Sequence, residues 1–113
     1  MTYQAAQGDI IWVDFSPSVG KEMQGRHPAL VVSSNAYNQM TSFIMVCPIT
    51  SKGNNFPGYI ELSDYKIYGR VNAVQLYSID LVRIKSSQFI DRIRGNDFLL
   101  VKQILDYALE FDM

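Results

Sequence analysis

A chain of 113 residues with 48% hydrophobic and 12% aromatic residues can form one domain with a real core but is too short for two. Ten Lys and Arg against eleven Asp and Glu give a formal net charge of −1, so a polyanion would have to be held by a local basic patch. The single cysteine excludes an internal disulfide, and no apolar run reaches the roughly 18 residues of a membrane span. We expect residues 1–113 to form a single domain of a soluble, cytoplasmic protein.

The predicted elements are several short strands followed by one helix. Strand patterns cover residues 9–15, 29–34, 43–50, 59–62, 71–77 and 80–84, and residues 35–42 are predicted to form a turn or one short helical turn. From residue 95 the apolar period becomes helical, with Asn96 as the expected N-cap. This order predicts a mainly β (α+β) fold, a small and strongly bent antiparallel sheet or barrel with α additions.

The predicted C-terminal helix is apolar on two sides. One face carries Phe98, Val101 and Leu105, and a second stripe includes Leu100 and Tyr107. Such a helix is either well buried or packs on its own sheet with one side and contacts a partner or a second copy with the other. The sequence leaves both interpretations open.

Polar side chains of the types used in catalysis fall into two groups. They are Glu22, Arg26 and His27 in the loop before Pro28, and Thr50, Ser51 and Lys52 at the end of the third predicted strand. The chain has one His, one Cys and scattered carboxylates, without the spacing of a metal site, and it lacks a Gly-rich phosphate loop and a GxSxG elbow. We therefore expect no metal and no other cofactor.

The two groups fit metal-free cleavage of RNA, in which the substrate's own 2′-hydroxyl is the nucleophile. The protein must then take one proton, give one, and stabilise charge on the phosphorane. Arg26 suits charge stabilisation, while Glu22 or His27 can exchange protons near neutral pH. Each residue alone is ordinary for a surface loop. The functional interpretation requires the second and third strands to begin and end at the same rim.

Four motifs and the C-terminal helix resemble the MazF/PemK toxins of bacterial toxin–antitoxin systems. The motifs are GDIIWVDFSPSVGKE, GRHPALVVSSNAYN, VCPITS and VNAVQLYSID. The resemblance implies an SH3-like antiparallel β-barrel with a C-terminal α-helix, a homodimer, and inhibition by a cognate antitoxin protein. It also implies a cytoplasmic, metal-independent, sequence-specific endoribonuclease that cuts single-stranded RNA by 2′-hydroxyl attack.

Glu22, Thr50 and Gln75 match positions of the family pattern. The chain differs from that pattern at two other positions. Many relatives have an arginine directly before the proline, whereas here His27 stands there and Arg26 precedes it. Neighbours on a strand face opposite ways, so one of the two is expected to point away. Many relatives also have an acid before the glutamine, and here that position is Val74. The predicted catalytic residues are Arg26, Thr50, Glu22 and His27, and the predicted RNA contacts are Ser51, Lys52, Gln75, Asn35, Lys21 and Phe56.

Two other functions compete with RNA cleavage. A non-catalytic toxin of the same barrel type would inhibit DNA gyrase, but the related gyrase poisons act through a Trp near the C-terminus and the only Trp here is Trp12. An RNA- or peptide-binding barrel with a decayed site is the third hypothesis, and the missing acid at Val74 is its best support.

Overall fold

A computed structural model describes residues 3–15, 25–52 and 57–113. Within these ranges the chain forms seven strands, two α-helices and two short 3-10 helices. In chain order they are β1 (Asp9–Asp14), β2 (Arg26–Val31), α1 (Asn35–Thr41), β3 (Phe43–Thr50), β4 (Tyr59–Leu62), β5 (Gly69–Asn72), β6 (Tyr77–Asp80), the 3-10 helices Leu81–Arg83 and Ser86–Gln88, β7 (Phe89–Arg92) and α2 (Gly95–Ala108). The predicted mainly β architecture with a C-terminal helix is confirmed.

The strands form one antiparallel sheet that curls around β3. The order is β4-β5-β3-β2-β1-β7, and β6 pairs with β3 off this path. One edge of β3 pairs with β2, while its other edge pairs with β6 over the first half and with β5 at the end. Because β5 and β6 share that edge, the sheet divides there and bends into the half-barrel of an SH3-like fold.

The central strands are buried on both faces by two separate apolar clusters. Ile10 and Ile11 are adjacent and both fully buried, and they belong to different clusters. The cluster around Ile11 packs against Tyr77 of β6, and the cluster around Ile10 includes Val101 of α2. Since each fully buried aliphatic side chain contributes about 1.5–3 kcal/mol, the two clusters fix the registers of β1, β2 and β3 firmly.

Residues 71–84 differ from the prediction in two ways. The predicted strand over 71–77 is divided, because the Asn72 side chain accepts a hydrogen bond from the Val74 amide at 3.1 Å and holds a turn between β5 and β6. The predicted strand over 80–84 is wrong. Asp80 instead caps the 3-10 helix that follows, by accepting from the Val82 amide at 3.0 Å.

The ends of the C-terminal elements also differ from the prediction. The helix α2 starts at Gly95 after an extended Arg94, so the prediction of Asn96 as N-cap is wrong. Arg94 is held by tertiary contacts, with its guanidinium 4.1 Å from the Tyr65 ring centroid, and these contacts override capping preference. The short edge strand β7 was not predicted, because four residues show too little alternation to mark a strand.

The two predicted sides of α2 have different environments. Val101 is buried and Ile104 packs partly buried against the same cluster, while Leu100 and Tyr107 of α2, and Phe111 beyond its end, are 46%, 79% and 89% exposed. One side of the helix therefore packs on the sheet and the other faces outward. Among the described residues, no helix is long and apolar enough to cross a membrane.

Candidate functional site

The start of β2 and the end of β3 lie at the same end of the sheet, as the functional interpretation requires. Ala29 pairs with Pro48 and Leu30 pairs with Cys47 in the antiparallel ladder. Continuing this register by two residues places His27 opposite Thr50. Directly opposite residues in an antiparallel pair share a face of the sheet, so His27 and Thr50 project to the same side.

Arg26 and His27 project from opposite faces of β2. The Arg26 guanidinium lies 4.8 Å from the Trp12 ring centroid, on the face that Trp12 shares with Pro28 through their pairing. The His27 ring is on the other face, with its centroid 6.4 Å from that of Phe15. Alternation along the strand therefore puts the imidazole, and not the guanidinium, on the side of Thr50.

The Thr50 hydroxyl is oriented by the chain that follows it. Its oxygen accepts a hydrogen bond from the Lys52 amide at 3.1 Å. A hydroxyl that accepts through a lone pair still carries a proton, which it can donate to a phosphate oxygen. Ser51 and Lys52 are exposed beside it, where a hydroxyl and an ammonium group can contact a polyanion.

Arg70 is a basic side chain near Thr50 that the sequence analysis did not include. It is the β5 residue paired with Thr50 at the end of β3, and its Nε lies 3.0 Å from Oε1 of Glu61 on β4. We refer to His27, Thr50 and Arg70, which cross three neighbouring strands on one face, as the polar row. A signal for Arg70 exists in the sequence, because opposite charges at Glu61 and Arg70 flank a hairpin-like connection, but the strand was predicted to begin at Val71.

Gln75 lies in the turn between β5 and β6 and is held by Asn72. The Asn72 amide nitrogen donates to the Gln75 side-chain oxygen at 3.3 Å. Gln75 also lines a shallow depression of about 360 Å³ with Tyr77, and the Tyr77 ring centroid lies 4.9 Å from that of Phe15. This turn is therefore linked to His27 through two aromatic rings. Val74, at the family's acid position, is 58% exposed.

Among the remaining predicted RNA contacts, Asn35 is described by the structure and is not brought to the polar row. Asn35 begins α1, which connects the far ends of β2 and β3, and its side-chain oxygen accepts from the Gln7 amide at 2.7 Å. Lys21, Glu22 and Phe56 lie outside the described residues. Within residues 3–15, 25–52 and 57–113, no group of three or more His, Cys, Asp or Glu side chains is arranged to hold a metal ion.

Most of this chain matches the model of one protein family. Residues 6–109 match the model of the PemK-like, MazF-like toxins of type II toxin–antitoxin systems. The endoribonuclease toxin MazF of Escherichia coli (strain K12) is 38% identical over 77 residues, which is 68% of this chain and 69% of that protein.

Solved structures show the same fold. A crystal structure of MazF from Deinococcus radiodurans superposes with a TM-score of 0.85 at 29% identity, covering 96% of this chain and 99% of that one. A chain of a MazE–MazF crystal structure from Deinococcus radiodurans gives a TM-score of 0.78 at 29% identity, covering 97% of this chain and 99% of that chain. The similarity extends over β1–β7 and α2 together, and not over a local motif.

Proposed function

This chain belongs to the PemK-like, MazF-like toxin family of type II toxin–antitoxin systems, and from this premise we propose that it is a metal-independent endoribonuclease. Its substrate is single-stranded RNA in the cytoplasm, cut at specific sequences. The observation that carries the proposal is the common face of His27 and Thr50 at one end of adjacent strands. An imidazole and a hydroxyl on one face of the sheet can supply proton exchange and phosphate orientation without a metal.

The proposed reaction is an internal transfer at one phosphate. The 2′-oxygen bonds to phosphorus after losing its proton, the bond from phosphorus to the 5′-oxygen breaks, and that oxygen receives a proton. The products are a 2′,3′-cyclic phosphate and a 5′-hydroxyl. We assign the two proton transfers to His27 and Glu22, and the orientation of the phosphate to Thr50 with Ser51.

The role proposed for Arg26 differs from the charge-stabilising role that the sequence alone suggests. Its guanidinium stacks on Trp12, away from the Thr50 face, so we assign it no contact with the scissile phosphate. The remaining RNA contacts proposed are Lys52, which follows Thr50, and Gln75 in the turn between β5 and β6, together with Lys21 and Phe56 from the segments outside the described residues. Asn35 is not included, because α1 lies at the opposite end of β3.

A direct test uses the purified protein with EDTA on a long RNA that contains extended single-stranded regions. We expect discrete cuts that leave cyclic phosphate ends, and a 2′-O-methyl group at a mapped cut site should block cleavage there. The double variant His27→Ala/Thr50→Val is the control for a contaminating nuclease. A folded protein that leaves the RNA intact contradicts the proposal, and RNA binding without cleavage supports the decayed barrel instead.

We also propose two protein partners. The solved MazE–MazF structure at 29% identity supports a cognate antitoxin as the inhibitor. The exposed side of α2, with Leu100 and Tyr107, and the exposed Phe111 just beyond the helix support a homodimer in which a second copy covers them. Light scattering should give twice the mass of one chain, and Tyr107→Glu should shift the population toward monomer. A wild-type monomer at micromolar concentration contradicts the dimer.

A further inference from the structure

Arg70 of β5, a member of the polar row, provides a cation on the same face of the sheet as Thr50. Thr50 and Arg70 are direct partners in the antiparallel ladder, so their β-carbons are about 4.5–5.5 Å apart. His27 follows on the other side of Thr50 in the continued β2–β3 register. Adjacent strands are about 4.7–4.9 Å apart, so the row spans roughly 10 Å, which is long enough to contact one phosphodiester and its neighbour.

Arg70 is held in a fixed orientation. Its Nε contacts Oε1 of Glu61 at 3.0 Å, and its side chain is 21% exposed against 65% for Glu61. The backbone before it is also tightly placed, because a β-carbon at Gly69 would lie 2.7 Å from the Thr50 carbonyl oxygen. A guanidinium that is paired with a carboxylate, on a backbone packed closely against β3, is oriented before the substrate binds, which is the condition under which a donor stabilises developing charge most effectively.

A cation on this face has a defined chemical role. A phosphorane formed by 2′-hydroxyl attack carries extra negative charge on its non-bridging oxygens, and the Thr50 hydroxyl has no charge to compensate it. Arg26 projects from the opposite face toward Trp12. Lys52 is exposed and follows Thr50 in the connecting chain, and an ammonium on a flexible stem is a less directional phosphate ligand than a planar guanidinium.

We propose that Arg70 contacts a phosphate of the bound RNA at the Thr50 face and stabilises the charge that develops during cleavage. Glu61 is the positioning residue that holds it. The inference rests on the proposed ribonuclease function and extends it by assigning the phosphate-binding cation to β5 instead of β2. With Arg70 in this role, the arginine that many relatives have directly before the proline is not needed here. The reversed order of Arg26 and His27 is then compatible with catalysis.

The test compares Arg70→Gln with Arg92→Gln. Arg92 is a matched control because its guanidinium is also paired with a carboxylate, Asp9, at 2.7 Å, on a strand at the far edge of the sheet. Single-turnover cleavage at a mapped site should fall about 100-fold to 1,000-fold for Arg70→Gln, the cost of removing one transition-state donor, and stay within threefold for Arg92→Gln.

Binding of an uncleavable 2′-O-methyl oligonucleotide provides a readout that a structural role does not move. Each phosphate contact contributes about 0.7 to the slope of log K against log salt for a single strand. Arg70→Gln should reduce the slope by about this amount, and Arg92→Gln should leave it unchanged. Equal slopes for Arg70→Gln and wild type overturn the phosphate contact.

The reciprocal variant Glu61→Arg/Arg70→Glu keeps the proposal testable if Arg70→Gln unfolds. It preserves the ion pair and the fold but places a carboxylate next to Thr50. We expect loss of cleavage with a thermal midpoint close to that of wild type, whereas wild-type cleavage by this variant means that the pair is only structural. If the wild-type protein itself cuts no RNA, the proposed function fails and the role of Arg70 fails with it. If the wild-type protein cuts RNA and the reciprocal variant cuts it equally well, the role of Arg70 is rejected and the proposed ribonuclease function stands.

Discussion

Arg26 and His27 are adjacent in β2, yet the Arg26 guanidinium lies 4.8 Å from the Trp12 ring centroid and the His27 ring contacts Phe15 on the opposite face. Only the His27 face carries Thr50. In an extended strand, the order of two neighbours decides which one meets a substrate bound on a given side. The order of these two residues before Pro28 is therefore a chemical difference from relatives that have arginine directly before the proline.

The first prediction separates the two residues. His27→Ala should lower single-turnover cleavage at neutral pH by about 100-fold to 10,000-fold, the usual range for a general acid or base. Arg26→Ala should lower it less than about tenfold, because its guanidinium faces Trp12. Gel-based rate measurements on a mapped RNA site check both. Loss of activity in Arg26→Ala with activity kept in His27→Ala would reverse the assignment.

An exchanged variant, Arg26→His/His27→Arg, is the control for this pair. It keeps one imidazole and one guanidinium but puts the guanidinium on the Thr50 face. We expect it to cut RNA no faster than His27→Ala, because the imidazole now lies on the Trp12 face and a guanidinium exchanges no proton near neutral pH. Wild-type cleavage by the exchanged variant would show that His27 exchanges no proton in the reaction.

The second prediction concerns the Thr50 hydroxyl. Thr50→Val keeps the shape of the side chain but removes the acceptor of the Lys52 amide and the donor to phosphate. Cleavage should fall at least about tenfold, while stability should fall by about 1 kcal/mol, the net value of one hydrogen bond. Thr41→Val is the matched control, since its hydroxyl donates to the Tyr37 carbonyl at 2.8 Å at the far end of β3. Equal cleavage by both variants would remove Thr50 from the site.

The sequence predicts the barrel and most of the polar residues but not their faces. Short apolar runs in β1 and β3, and helical spacing in α2, are local signals, and the structure confirms these elements. The relation of His27 to Thr50 depends on the β2–β3 register, which is fixed by packing between strands that are distant in sequence. Arg70 was missed for the same reason, because only the pairing of β5 with the end of β3 brings it there.

The third prediction concerns Gly69, where β5 meets the end of β3. Gly69 has φ +137, and a β-carbon there would lie 2.7 Å from the Thr50 carbonyl oxygen. Gly69→Ala should therefore destabilise the fold by roughly 1–3 kcal/mol and should reduce cleavage in the fraction that stays folded, because Thr50 and Arg70 are displaced. Urea unfolding and single-turnover rates check the two effects.

Gly95→Ala is the control for this substitution. Gly95 is the first residue of α2, and a β-carbon there meets no atom within 4 Å. Alanine is the better helix former by about 1 kcal/mol, so this variant should be as stable as wild type or more stable, with unchanged cleavage. A Gly69→Ala protein with wild-type stability would show that β5 can retreat from β3 without cost.

The fourth prediction uses Cys47 of β3, which is fully buried and pairs with Leu30 of β2. Burial raises the pKa of the thiol from 9.0 to about 12, so the native thiol is both inaccessible and neutral at pH 8. Alkylation by iodoacetamide at pH 8 should be at least about 100-fold slower in the folded protein than in urea, since only the thiolate reacts. Mass spectrometry of the intact chain measures the labelled fraction.

The same raised pKa gives a direction for stability against pH. Above pH 9 the unfolded thiol loses its proton while the folded one keeps it until about pH 12, so the unfolded state binds fewer protons and stability falls as pH rises. The contribution is complete below pH 9 and is lost between these two values. Cys47→Ala, although less stable overall, should lose stability less steeply across this window than wild type. If the unfolding free energies of the two proteins change in parallel from pH 8 to 11, this result contradicts a buried neutral thiol at this position.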